Sequence, residues 1–176
     1  MQKILFLIVP LLLLVSCGDQ STISFDKEEF DRQRALWEAQ GLEDYSVIQE
    51  IFSPAGPSDA RVFVGDTAIY QIENLTQYEN YNPDNFYPFM TVSYLYTWIA
   101  NGYTDSVNRI TRGEKADLTI RIRYNDTWHY PEDVYFNYMP QYMWGMDGYG
   151  PTTYKLSDFI PGKGEIPETI TNSAGW

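Results

Sequence analysis

The chain has 176 residues, 24 of them acidic and 12 basic, for a net charge of −12. That balance argues against nucleic acid as a partner, because a basic face supplies most of the affinity there, and it opposes lying flat on an anionic membrane. A single cysteine rules out a disulfide within the chain.

The first twenty residues end in "LLLLVSCGDQ", which holds that cysteine. The apolar run from Ile4 to Val15, preceded by Lys3 and interrupted by Pro10, falls short of the roughly 20 residues that a membrane-spanning helix needs. A basic start, a short apolar core and small residues at its end predict a secretory signal. Leu14-Val15-Ser16-Cys17 resembles the lipobox of bacterial lipoproteins, in which the cysteine thiol receives a diacylglyceryl group and becomes residue one after cleavage. The expectation is therefore a signal peptide over residues 1–16, with the lipidated Cys17 and a polar tether over 17–24. Gly18 to Ser24 would reach about 25 Å from the bilayer surface. Cleavage also removes Lys3, leaving 11 basic against 24 acidic residues. Gly18 follows the cysteine where an aspartate would signal inner-membrane retention in enteric bacteria, so the outer membrane is favoured over the inner.

Beyond the tether, "FDKEEFDRQRALWEAQG" predicts a helix with Asp26 as cap, Glu29 three residues on and Gly41 at its end. Phe30 and Trp37 share a face, with Gln33 and Arg34 between them, a narrow stripe suited to a helix laid across a sheet. "DYSVIQEIF" alternates, with Tyr45, Val47, Gln49 and Ile51 on one side. "SPAGPSDA" reads as loop, and "RVFVGDTAIYQIE" as a hairpin turning at Gly65-Asp66. "NLTQYENYNPDNFYPF" (74–89) has no period and reads as an inserted aromatic loop. "TVSYLYTWIANG" predicts a second helix with Thr91 as cap and Val92, Leu95, Tyr96 and Ile99 on one face, either ending at Gly102 or resuming through Val107 and Ile110.

"ADLTIRIRYN" predicts a strand with Leu118, Ile120 and Ile122 inward and Thr119, Arg121 and Arg123 facing water. "DTWHYPED" is a turn and "DVYFNY" the returning strand. A second aromatic loop, "MPQYMWGMDGYGPT", precedes the strand "TYKLSDF", and residues 162–176 read as a loosely held tail. The pattern predicts one α+β domain over residues 25–161: an antiparallel sheet of four to six strands with two helices on one face.

The order "LWEAQGLEDYSV", "RVFVGDTAI", "LTIRIRYNDTWHYPEDVYFNY" and "YKLSDF" resembles the bacterial family called domain of unknown function 6174. Trp37, Asp44-Tyr45, Tyr124, Tyr130-Pro131, Asn137-Tyr138 and Tyr154 to Phe159 stand at the matching places, over roughly residues 30–160. The resemblance implies an exported protein with this fold and no assigned activity. Many relatives carry paired cysteines after the first strand, where this chain has Phe52 and Ser53, so no redox or metal role follows from that pair.

For chemistry, His129 in "TWHYP" is the sole histidine and would have to serve any His–carboxylate metal site or catalytic triad; a turn histidine packed among aromatics is the expected role. No phosphate-cradling glycine loop or dinucleotide fingerprint is present. No catalytic residue, metal ligand or cofactor is assigned. The aromatic loops carry the functional expectation: Tyr78, Tyr81, Phe86, Tyr87 and Phe89 in the first, with Tyr142, Trp144 and Tyr149 in the second, either fold down as satellite core under the loops or form an exposed binding surface. The resulting reading is a non-enzymatic interaction module, held to the membrane by its N-terminal lipid and taking another envelope protein or a glycan. The alternative is an envelope polymer hydrolase that uses carboxylates.

Overall fold

The computed structural model describes residues 21–54, 56–75, 88–114, 116–140 and 150–162. In chain order they form β1 (Ile23–Ser24), α1 (Lys27–Ala39), β2 (Tyr45–Ser53), β3 (Gly56–Gly65), β4 (Ala68–Asn74), α2 (Val92–Thr111), β5 (Ala116–Tyr124), β6 (Pro131–Pro140) and β7 (Thr152–Pro161). The strands make one sheet in the order β1-β5-β6-β7-β2-β3-β4. The fold is α+β, with seven strands instead of the expected four to six. The sheet is mixed instead of antiparallel, because β1 joins its edge parallel to β5. The seventh strand comes from the segment expected as tether. There the Leu118 N–H donates to the Thr22 carbonyl at 2.9 Å and the Ala116 N–H to Ser21 Oγ at 3.1 Å. A run too short to show any period is made a strand by the backbone groups that the edge of β5 must satisfy.

Two turns also depart from expectation. The "SPAGPSDA" segment is mostly strand, since β2 pairs through Ile51↔Ser58, Phe52↔Pro57 and Ser53↔Gly56. The pairing of β3 with β4 begins only at Ala60, so Pro57 lies on an edge where its missing N–H costs no ladder bond. The β3–β4 turn is Asp66-Thr67, one residue later than Gly65-Asp66, with φ of 50° and 67°. Such left-handed values are costly for a β-branched threonine. The Thr67 N–H donates to the Glu43 carbonyl at 3.4 Å and the Asp66 N–H to Asp44 Oδ1 at 3.4 Å, and these bonds help hold the turn.

Both helices cover one face. Asp26 caps α1 by accepting the Glu29 N–H at 3.0 Å, and Gly41 follows the helix at φ 61°. Thr91 caps α2 by accepting the Tyr94 N–H at 3.1 Å. Phe30 and Trp37 of α1 join Val92, Leu95, Tyr96 and Ile99 of α2 over Val47, Ile51, Val62, Leu118, Ile120, Val134, Tyr154 and Leu156 of the sheet. The buried Gln49 is satisfied by one residue: its amide donates to the Met90 carbonyl at 2.5 Å and accepts the Met90 N–H at 3.2 Å. That pair sets where the chain enters α2. The helix then continues past Gly102 to Thr111. Among the described residues no helix is long and apolar enough to cross a membrane.

Two buried tyrosines join the helices to the rest of the core. The Tyr45 hydroxyl accepts the Val92 N–H at 2.8 Å, and the Tyr96 hydroxyl donates to the His129 carbonyl at 2.5 Å. Burial pushes both phenols well above the ordinary tyrosine range. A phenol whose folded pKa is raised stays neutral in the folded protein, while the unfolded chain loses its proton near pH 10. Their contribution is therefore complete below about pH 10 and declines above it, by about 1.4 kcal/mol per pH unit for each tyrosine. Urea unfolding at pH 9, 10 and 11 is expected to show this decline. Tyr96→Phe should make it shallower, and an unchanged slope in that variant would contradict the assignment.

Candidate binding face

Among the described residues, the opposite face of the sheet carries no helix. On it the outward residues of four adjacent strands fall into rows set by the register. One row runs Arg121–Tyr135–Thr153–Phe52, and the next runs Arg123–Asp133–Lys155–Glu50. Arg121 lies over the Tyr135 ring at 4.3 Å and Lys155 over the Phe52 ring at 5.7 Å. Arg121, Ile122, Arg123, Asp133, Tyr135, Thr153 and Lys155 line an open depression of about 460 Å³.

The cations of the described residues divide into those with an acidic partner and those without. Lys27, Arg32, Arg34, Arg61, Arg109, Arg112 and Arg123 each have a carboxylate within 4.0 Å. Among the described residues, Arg121 and Lys155 are the two cations that do not. Both are exposed, and each is oriented by an aromatic ring in place of an acid. Lys155 has Asp133 and Glu50 as its cross-strand neighbours, whereas the row of Arg121 through Tyr135, Thr153 and Phe52 holds no acid, so Arg121 is the point on this face suited to an anionic group.

The other chemistry is structural in character. His129 sits at φ 55° in the β5–β6 turn, where its N–H donates to the Asn125 carbonyl at 2.9 Å. Its Nδ1 lies 3.0 Å from Gln33 Oε1. Because the Gln33 amide nitrogen donates to Glu29 Oε1 at 2.8 Å, the Gln33 oxygen is an acceptor, and Nδ1 of His129 carries the proton. The flanking Trp128 and Tyr130 pack their rings on Phe159 at 5.6 and 5.0 Å, so the histidine stands in an aromatic turn as expected. Arg32, and then Gln33, hold Glu29 at about 2. Arg109, with Tyr138, lowers Asp105, and Arg112 lowers Glu114. Among the described residues no group of three His, Cys, Asp or Glu side chains could hold a metal ion.

Cys17, Tyr78, Tyr81, Phe86, Tyr87, Tyr142, Trp144 and Tyr149, the residues singled out from the sequence, lie outside the described residues. Phe89, at the end of the first aromatic segment, is buried in the core. Sequence reading placed Arg121, Tyr135, Lys155 and Phe52 on strands without bringing them together. Alternation gives each strand its outward residues, but only the strand order and register make them neighbours.

The described residues form an α+β sheet with both helices on one face and Arg121, Arg123, Lys155, Asp133 and Glu50 mixed on the other. The chain belongs to the family of unknown function DUF6174, whose model matches residues 29–161, from the first turn of α1 to the end of β7. No curated protein matches the chain.

Proposed function

We propose that this protein is a lipid-anchored binding module of the bacterial envelope that holds an anionic partner against its open sheet face. The anchor half rests on Leu14 to Cys17, whose thiol takes the diacylglyceryl group, with the acyl chains contributing about 0.8 kcal/mol per buried CH₂. The observation that carries the binding half is the pair Arg121 and Lys155, exposed, without an ion pair among the described residues and lying over the rings of Tyr135 and Phe52. A hydrolase using carboxylates needs a general acid with a raised pKa. Glu29, Asp105 and Glu114 are lowered by Arg32, Arg109 and Arg112, so none of these three is such an acid.

The test is a photo-crosslinking residue placed at Ser157, exposed on the open face, and for comparison at Thr104, exposed on α2. In intact cells Ser157 is expected to give a discrete adduct that Arg121→Glu with Lys155→Glu abolishes, while Thr104 gives none. Equal adducts from both positions, or an adduct indifferent to the charge reversal, would remove the binding half. Cys17→Ala should end incorporation of a palmitate analogue, and unchanged labelling would remove the anchor half.

A further inference from the structure

Among the described residues, the edge of the sheet at β5 is incompletely covered. β5 runs from Ala116 to Tyr124, but β1 pairs only with Leu118 and Thr119. The Leu118 N–H points to that edge, where it meets the Thr22 carbonyl. Backbone groups alternate along a strand, so the N–H and C=O of Ile120 and Ile122 point the same way, while those of Arg121 and Arg123 point to β6. β1 stops at Ser24 because the chain turns at Asp26 to cap α1. Past that point the edge faces a gap of about 440 Å³, with Ser24, Phe25, Asp26 and Glu29 on one side and Ile120, Arg121, Ile122 and Tyr124 on the other. This gap and the open-face depression both border Arg121 and Ile122, so the two meet on one strand.

An uncovered strand edge is a template for another strand, and proteins commonly guard such edges with charge. Here the guards are Arg121 and Arg123, both exposed on the open face. Two copies of this edge paired antiparallel would bring arginines together across the seam, which is unfavourable. Arg123 is already paired with Glu132, so an incoming strand with acids on this face gains chiefly beside Arg121.

We propose that the edge from Ile120 to Tyr124 takes an extended acidic segment of a partner protein by strand addition. The segment's backbone pairs with Ile122, and its acidic side chains alternate along the open face beside Arg121 and Arg123. Its intervening side chains enter the gap toward Phe25 and Tyr124. Five residues of edge span about 17 Å, room for a segment of similar length. This proposal rests on the binding-module reading and narrows its partner.

The probes are an eight-residue peptide alternating Glu and Val, its Lys and Val counterpart, and a Glu and Val version interrupted by prolines, which lack the N–H that a strand must donate. They are added to the full chain in detergent, with amide exchange read residue by residue. The Glu peptide is expected to slow exchange at Ile122 by about tenfold or more, with Arg121 and Arg123 unchanged because β6 already protects them. Arg121→Glu with Arg123→Glu should weaken its binding by about tenfold or more, as expected when attraction becomes repulsion. Equal binding of the lysine or proline peptides would overturn the proposal. Binding of the Glu peptide without protection at Ile122 would overturn strand addition and leave the open-face reading standing. No binding by the Glu peptide would also overturn it, and the Ser157 adduct then reports separately on the broader reading. Protection at Ile122 that rises with protein concentration alone would replace the peptide by a second copy.

Discussion

Gly102→Val is expected to cost the domain much of its stability, and Gly102→Ala to cost a smaller but clear amount. A glycine inside a helix usually invites stabilisation, since alanine is better by about 1 kcal/mol there. At this position an added Cβ would lie 2.4 Å from Cζ and 2.9 Å from Cε2 of the Phe136 ring on β6. The ring has little freedom to retreat, because Trp98 packs on it with centroids 4.4 Å apart. Overpacking of this kind costs about 1–3 kcal/mol, so alanine is expected to be a net loss of up to roughly 2 kcal/mol once its helix preference is counted. Valine adds two further methyl groups and should lose about 3 kcal/mol or more, a large part of the 5–15 kcal/mol typical of a domain. Urea midpoints measure both. Phe136→Leu in the Gly102→Ala background should recover part of the loss through a non-additive term. A higher midpoint for Gly102→Ala alone would show that the helix does not need this close approach.

Ile120→Asp is expected to be similarly severe, while its neighbour Arg121→Asp should be tolerated. Ile120 is 3% exposed and faces the helices. Aspartate there loses about 1.5–3 kcal/mol of apolar burial and adds a carboxylate that must either stay charged in an apolar core or take up a proton. The combined loss should be about 4 kcal/mol or more, in the range reserved for core disruption. Arg121→Asp gives up the contact with Tyr135, a matter of about 0.5–1 kcal/mol at an exposed site. The two melting temperatures should differ by about 10 °C or more. Equal values would mean that the inward face of β5 has been misassigned. Arg121→Asp is thus also a folded protein in which loss of acidic-peptide binding can be read without loss of structure.

Much of the architecture was open to sequence reasoning because its signals are local. Asp26 and Thr91 sit in front of amphipathic segments, and each side chain accepts the N–H three residues on. The alternation of Leu118, Ile120 and Ile122 with Thr119, Arg121 and Arg123 assigned the two faces of β5 before any partner strand was known. Trp37, Tyr45, Tyr130 and Phe159, which carried the family resemblance, meet as one ring cluster, so the resemblance is one of core packing. Reading stopped where a residue's role depends on something distant in the chain. Gly102 could be a helix end or a glycine within the helix until Phe136 occupies the space beside it. Pro57 and Gly56 look like loop until β2 pairs with them.

The sequence by itself determined the class of fold and the faces of its helices and of β5, since each follows from residues within a few positions of one another. Only the tertiary structure decided the candidate site. Arg121, Tyr135, Lys155 and Phe52 come from β5, β6, β7 and β2, and their adjacency is a matter of strand order and register. The exposed edge beside them arises because a two-residue strand stops short of a nine-residue one. Hydrophobic alternation specifies which face a side chain takes, and it says nothing about which strand will lie alongside.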